Sequence, residues 1–305
     1  MDILERIQSG VLESRLSRRT VLLGTGVGIM SGLLAACGSG DDDGDDDEPT
    51  TGGDSTEPAG TEAAGSEGSP EVPEGDSEGE PVSGGTLKFG NYDEPPIMDP
   101  RVSGATTAWR LFYCLFDPLL FQDIETGDFL PGLANTWEIS DDGLVYSFEL
   151  KEGVKFHDGT DFNAEAIKFT YDSILDPELK SLAAIGYLGP YEETVVVDDL
   201  TAEVHFTDPY APFLNNLSHS VLSPVSPTAV GVHGADFGFN PVGTGPFVFQ
   251  EWQQQTSMTF TKNPDYNWGG GVYTHEGPAY LDELVVNFIT EPTTLMGTLQ
   301  NGESD

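Results

Sequence analysis

From Gly38 to Thr86 the chain carries 16 acidic residues and no Lys or Arg. The run Asp41-Asp42-Asp43-Gly44-Asp45-Asp46-Asp47-Glu48 opens this tract. Gly, Ser, Thr, Pro and Glu then continue it to Ser83 with hardly an apolar side chain. Such a segment buries too little surface to offset the entropy of ordering, and its like charges extend it. Residues 38–83 therefore read as a disordered acidic linker, and a globular part must begin at Gly84. The aspartate run does not have the ligand order of a calcium-binding EF-hand loop, so it reads as a solvated tether.

The acidity does not stop at the linker. Residues 87–305 hold 33 acidic and 8 basic side chains, a net of −25, within a net of −40 for the whole chain. Phosphate contacts need basic side chains, so a general nucleic-acid binder is excluded. A basic membrane-surface patch is excluded for the same reason. A folded body this negative repels itself unless salt screens it, and the Debye length falls to about 3 Å in 1 M salt. With only six lysines, the surface reads as that of a halophilic organism, an archaeon; the alternative is a merely acidic extracellular protein. Apolar content of 37%, with 10% aromatic, suffices for a core. Two cysteines, Cys37 and Cys114, exclude a disulfide framework and a Cys-rich zinc site.

Ahead of the linker, Ser17-Arg18-Arg19-Thr20 runs into the apolar stretch Val21–Ala36, which contains Gly24, Gly26, Gly28 and Gly32. This stretch is shorter than the roughly 20 apolar residues that span a bilayer, so it reads as a signal core. It ends in Leu34-Ala35-Ala36-Cys37-Gly38. The order resembles a twin-arginine lipoprotein signal with its lipobox. That resemblance implies a signal over 1–37, export through Arg18 and Arg19, and lipid on Cys37. The mature protein would then be tethered to the outer face of the cytoplasmic membrane. Acyl chains contribute about 0.8 kcal/mol per buried methylene, and durable anchoring takes two.

Beyond Gly84 the periodicities alternate between two kinds. Gly84–Gly90 reads as an opening strand. Ala105, Trp109, Phe112, Tyr113 and Phe116 recur at helical spacing and stop at Asp117-Pro118. Thr136–Ser140 and Leu144–Leu150 flank the turn Asp141-Asp142-Gly143 as a hairpin. In its second arm Leu144, Tyr146, Phe148 and Leu150 alternate with Val145, Ser147 and Glu149, so one face is expected to be buried. Asn163 caps a helix striped by Ile167, Tyr171, Ile174 and Leu175. Further hairpins are read over 194–206 and 247–262, a strand over 284–289 and a helix over 293–300. Strands and helices mix without strict alternation, which predicts an α/β fold with a mixed sheet.

Several phrases then line up. Pro131-Gly132-Leu133-Ala134-Asn135-Thr136-Trp137-Glu138 precedes Gly153-Val154-Lys155-Phe156-His157-Asp158-Gly159-Thr160 and Asn163-Ala164-Glu165-Ala166. Asn240-Pro241-Val242-Gly243-Thr244-Gly245-Pro246-Phe247, Asn263-Pro264-Asp265-Tyr266-Asn267-Trp268 and Leu299-Gln300-Asn301-Gly302-Glu303-Ser304-Asp305 follow. The series resembles the family 5 extracytoplasmic substrate-binding proteins of peptide and nickel ABC importers. The resemblance implies a periplasmic-binding-protein-like fold of type II, cluster C. It divides the chain into a first part of lobe I over 84–118, a smaller α/β insert domain over 119–235, and a second part of lobe I over 236–305. In the family a second lobe follows the closing phrase, so this chain is expected to be a fragment or a truncated form that lacks it. The implied function is capture of a peptide or related solute and its delivery to membrane permease subunits, without a cofactor and without catalysis. The rivals are a cell-surface interaction lipoprotein and a secreted hydrolase.

Candidate contact residues follow from that expectation. The loop Asn91–Ile97 offers Tyr92, Asp93 and Glu94, an acid of which meets a ligand ammonium, or it is an ordinary Pro-rich connection. Gly243 and Thr244 lie in a Gly-x-Gly turn near the cleft; no helix signal follows, which argues against phosphate binding. Tyr113 and Tyr187 either stack on a ligand or belong to the core. His157-Asp158-Gly159 reads as a tight surface turn, and the five histidines show no metal-ligand pairing. No Gly-x-Ser-x-Gly elbow or His-Glu-x-x-His run is present. Cys114 reads as a buried small hydrophobe, and Asn216-Leu217-Ser218 as a glycosylation sequon.

Overall fold

The computed structural model describes residues 81–273 and 275–305. Arg18, Arg19, Cys37 and the tract 38–80 lie outside the described residues. In chain order the first elements are β1 (Thr86–Asn91), α1 (Thr106–Leu115), β2 (Leu120–Gln122), β3 (Phe129–Pro131), β4 (Ala134–Ile139) and β5 (Val145–Leu150). Then come α2 (Ala164–Ile174), α3 (Ala184–Leu188), β6 (Tyr191–Asp198), β7 (Thr201–Phe206), α4 (Phe213–Leu217) and α5 (Pro227–His233). Last are β8 (Phe247–Gln253), β9 (Ser257–Lys262), β10 (Glu283–Phe288) and α6 (Pro292–Gln300). Short 3-10 turns occupy Ser220–Leu222 and Gly234–Phe239.

One four-stranded sheet has the order β1-β10-β9-β8 and is mixed, as the sequence predicts: β1 lies parallel to β10, and the other pairs are antiparallel. Leu284, Val286 and Phe288 alternate with less buried neighbours, so one face of β10 points inward. Met258 and Phe260 of β9 join them, and Ala108, Leu111, Phe112 and Leu115 of α1 belong to the same core. Their spacing puts them on one stripe of the helix, and burial of each large side chain contributes about 1.5–3 kcal/mol. Phe116 is extended and Pro118 follows two residues later, restricting Asp117 before it, so α1 cannot continue.

The second four-stranded sheet, β4-β5-β7-β6, is antiparallel throughout. Tyr146, Phe148 and Leu150 are buried, as their alternation predicts. Tyr146, Phe206 and Phe213 meet edge-on at 4.7–5.5 Å between ring centroids, a geometry that matches ring edges to ring faces. Helix α2 packs on β6 and β7 with Ile167, Tyr171 and Ile174 buried. The Asn163 side chain accepts a 3.2 Å hydrogen bond from the Ala166 N–H, the expected N-cap.

Each sheet has its own hydrophobic core, and Trp109 and Val242 pack against both. Near this seam one ion pair is buried. Arg101 grips Asp99 through Nε at 3.0 Å and Nη2 at 2.7 Å, with its guanidinium 5.2 Å from the Phe237 ring centroid. A buried guanidinium persists only when paired in this way.

Candidate functional site

The Gly243-Thr244-Gly245 turn packs directly on the end of α1. A Cβ on Gly243 would collide with the Leu115 carbonyl oxygen, and one on Gly245 would lie 2.6 Å from the Leu115 carbonyl carbon. Thr244 is fully buried, and its hydroxyl donates to Asp117 Oδ2 at 3.0 Å. The Trp268 indole N–H reaches both Asp117 Oδ2, at 3.1 Å, and the Thr244 carbonyl, at 3.0 Å. Tyr266 donates to Asp117 Oδ1 at 2.9 Å. Burial pushes the Asp117 carboxyl up to about 6, while these donors and Lys151 pull the other way. The ligand role expected of Gly243 and Thr244 thus gives way to a junction role, because neither offers an accessible group.

His157 belongs to the same junction. Its turn is tight, with Gly159 at φ +82°, but the ring is not idle. The Gly243 N–H donates to Nδ1 at 3.4 Å, and Nε2 lies 3.0 Å from the Gly245 carbonyl. Burial pushes the imidazole down to about 4, so the ring is neutral at pH 7, with Nε2–H as donor. Next to it Asp158 accepts a 2.5 Å hydrogen bond from Ser226, whose oxygen also caps α5 by accepting from Ala229 N–H at 3.1 Å.

Tyr113 faces a different environment. It is 39% exposed, so it is not the core residue its helical spacing allows. Thr106, Trp109, Arg110 and Tyr113 of α1 form one side of a hollow of about 210 Å³, and His219, Ser220 and Val221 form the other. The Tyr113 hydroxyl donates to the Ser218 carbonyl at 3.0 Å, and Ser220 donates to the Trp109 carbonyl at 3.3 Å. Tyr187, carried on α3, stands edge-on to Trp109 at 6.0 Å and to His219 at 5.2 Å. Burial pushes the His219 imidazole below its usual range. The result is a half-open aromatic box with one guanidinium in its lining.

Asn216 holds that box together. Its amide nitrogen donates to the Tyr187 carbonyl at 2.8 Å and to the Tyr210 hydroxyl at 3.1 Å. Being buried, with its amide nitrogen donating twice, it is a positioning residue, and in the folded protein the sequon nitrogen is not accessible.

The loop after β1 is divided. Tyr92 and Asp93 are exposed. Glu94 accepts from the Trp252 indole N–H at 2.7 Å and from the Gln255 N–H at 2.9 Å, so its carboxylate is committed to the β8–β9 turn. Of the acids singled out in this loop, Asp93 is the one left facing solvent.

Two other hollows on the described surface are lined with carboxylates: Asp123 and Glu125 in one, Glu152, Asp161 and Asp199 in the other. Among the described residues no group of His, Cys, Asp or Glu is arranged to hold a metal ion, and no helix is long and apolar enough to cross a membrane. Cys114 is half-buried, and its desolvated thiol is pushed up to about 11, which leaves it unreactive. Of the residues gathered here, the sequence offered Tyr113 and Tyr187 as candidates but gave no sign of such a role for Trp109, Arg110 or Asn216.

The family described as bacterial extracellular solute-binding proteins, family 5 Middle, matches residues 128–305. Over 172 residues the chain is 36% identical to the glutathione-binding protein GsiB of Pectobacterium atrosepticum, covering 56% of this chain and 32% of that one. The chain therefore spans about a third of the length of the curated relatives it matches. Among solved structures, the ABC transporter-associated periplasmic binding protein DppA from Helicobacter pylori, in complex with peptide STSA, matches at TM-score 0.65 and 30% identity. That match covers 73% of this chain and 46% of DppA. NikZ from Campylobacter jejuni, in complex with Ni(L-His), matches at TM-score 0.60 and 25% identity over 72% of this chain and 42% of its own.

Proposed function

This chain belongs to the bacterial extracellular solute-binding proteins of family 5, and on that premise we propose that it captures a peptide or a related small solute outside the cytoplasmic membrane and passes it unchanged to an ABC permease. Its fold is that of the type II periplasmic binding proteins. The observation that carries the reading is the aromatic hollow between α1 and the Ser220–Leu222 turn. Solute sites are concave and mostly apolar, with a few convergent polar groups, and this hollow has that composition. In proteins of this kind a ligand is held as two lobes close on it. The hollow supplies one wall, and the exposed Tyr92 and Asp93 of the loop after β1 are further candidate contacts, Asp93 for an ammonium group.

The export and anchoring part of the proposal rests on residues 1–37. Arg18 and Arg19 direct folded export, Cys37 carries lipid, and the acidic tract 38–83 is the tether. The net charge of −40 supports a halophilic source, where concentrated salt screens the surface.

The test is the indole N–H spectrum of the 15N-labelled protein during titration with a mixture of dipeptides. The reading expects the Trp109 signal to shift and that of Trp137, in β4, to stay. A spectrum in which no indole signal moves at millimolar dipeptide overturns it.

A further inference from the structure

Among the described residues eight are cationic, and most are spent on the protein itself. Arg101, Lys155, Lys168 and Lys262 form ion pairs with Asp99, Asp161, Asp172 and Asp282, and Lys151 donates to the Trp268 carbonyl. Arg110 is exposed, forms no ion pair among the described residues, and lines the aromatic hollow. A body with a net of −25 over 87–305 sets a repulsive field for any anion. Yet the lining of this hollow contains no Asp or Glu, whereas the two other hollows have them. A free guanidinium beside Trp109 and Tyr113, with carboxylates kept away, is the arrangement that admits an anion with a flat apolar group attached.

Taking the hollow as a solute wall, as above, we propose that Arg110 is its specificity-determining residue and selects a solute that carries a carboxylate next to an aromatic or apolar group. The guanidinium fork matches two carboxylate oxygens, and the rings of Trp109 and Tyr113 accept the apolar part. The planar fork matters as well as the charge, so lysine is not an equivalent replacement.

The probes are the dipeptide Ala-Phe, its C-terminal amide, and phenyl phosphate, titrated into the protein and into its Arg110→Gln and Arg110→Lys variants. Binding is followed by calorimetry and by the Trp109 indole signal, with thermal unfolding showing that each variant is folded. Arg110 is exposed, so folding is expected to be unchanged. The proposal expects Ala-Phe to bind at least tenfold tighter than its amide to the unsubstituted protein. Arg110→Gln removes that difference, and Arg110→Lys keeps only part of it. Equal binding of acid and amide, with the Trp109 signal moving for both, overturns the carboxylate selection and leaves the hollow as a solute wall. Tighter binding of phenyl phosphate than of Ala-Phe overturns the carboxylate as the preferred anion. No movement of Trp109 with any probe overturns both readings together.

Discussion

Tyr266 donates a 2.9 Å hydrogen bond to Asp117 Oδ1, tying the segment after β9 to the exit of α1 across the place where the two cores meet. Three side-chain donors converge on this one buried carboxylate. Asp117→Ala strands the Thr244 and Tyr266 hydroxyls, while the Trp268 N–H keeps the Thr244 carbonyl, and each buried unsatisfied group costs about 1–3 kcal/mol. A loss of roughly 3 kcal/mol or more in urea unfolding is expected, against about 1 kcal/mol for Tyr266→Phe, which leaves the carboxylate two donors. Equal small effects from both would contradict the convergence.

Asp117 and His157 give stability opposite pH slopes in one window. Folded Asp117 keeps its proton up to about pH 6, whereas an unfolded aspartate releases it near about 3.9. The folded state binds more protons between those values, so this contribution falls as pH rises through the window. Folded His157 takes its proton only near pH 4, against about 6.5 unfolded, so its contribution is complete above the unfolded value and is lost as pH falls. Relative to Asp117→Asn, the unsubstituted protein gains stability from pH 6 to 4; relative to His157→Gln it loses stability over the same descent. Unfolding curves at pH 4, 5, 6 and 7 in fixed salt measure both differences.

Asn216 is engaged by two partners, and its loss frees Tyr187, which packs edge-on against Trp109 and His219 of the hollow. Asn216→Ala is expected to cost on the order of 1–3 kcal/mol and to weaken dipeptide binding, while Ser218→Ala, which also destroys the sequon, leaves binding in place. Peptide mapping by mass spectrometry should find Asn216 unmodified in protein from its native source. A glycan there would contradict the buried, hydrogen-bonded amide.

Salt is expected to raise thermal stability monotonically from 0.1 to 2 M KCl, because self-repulsion among exposed carboxylates is the term that screening removes. Sodium sulfate also strengthens apolar burial, so the chloride series is the diagnostic one. A melting temperature that is flat or falling with KCl would contradict a salt-adapted surface.

Much of the framework was legible because it is local. Tyr146, Phe148 and Leu150 alternate within one strand, and Asn163 caps its helix three residues ahead. Helix α5 also had a readable start, Ser226 as cap with Pro227 after it, yet Pro-rich surroundings hid it. Helices α3 and α4 have five residues each, too short for periodicity to register. The site was less legible, since its parts come from afar: Trp109 meets Ser220 across 111 residues, and Asp117 meets Trp268 across 151. An aspartate before a proline reads as a helix stop, and nothing local marks it as the acceptor for three distant donors. Tyr113 and Tyr187 stood out as aromatics, but only the fold reveals that Tyr113 shares its hollow with His219 and Arg110 and that Tyr187 packs against Trp109 and His219 of it.

Native mass spectrometry of the protein purified from its own cells, without exposure to denaturant, tests solute capture most directly. The account predicts a bound molecule below about 1 kDa, sized for a single cleft, that is lost on denaturation and recovered chemically unchanged, and whose retention falls in Arg110→Gln. Bare protein that takes up nothing from a peptide library, or a peptide recovered cleaved, would contradict it.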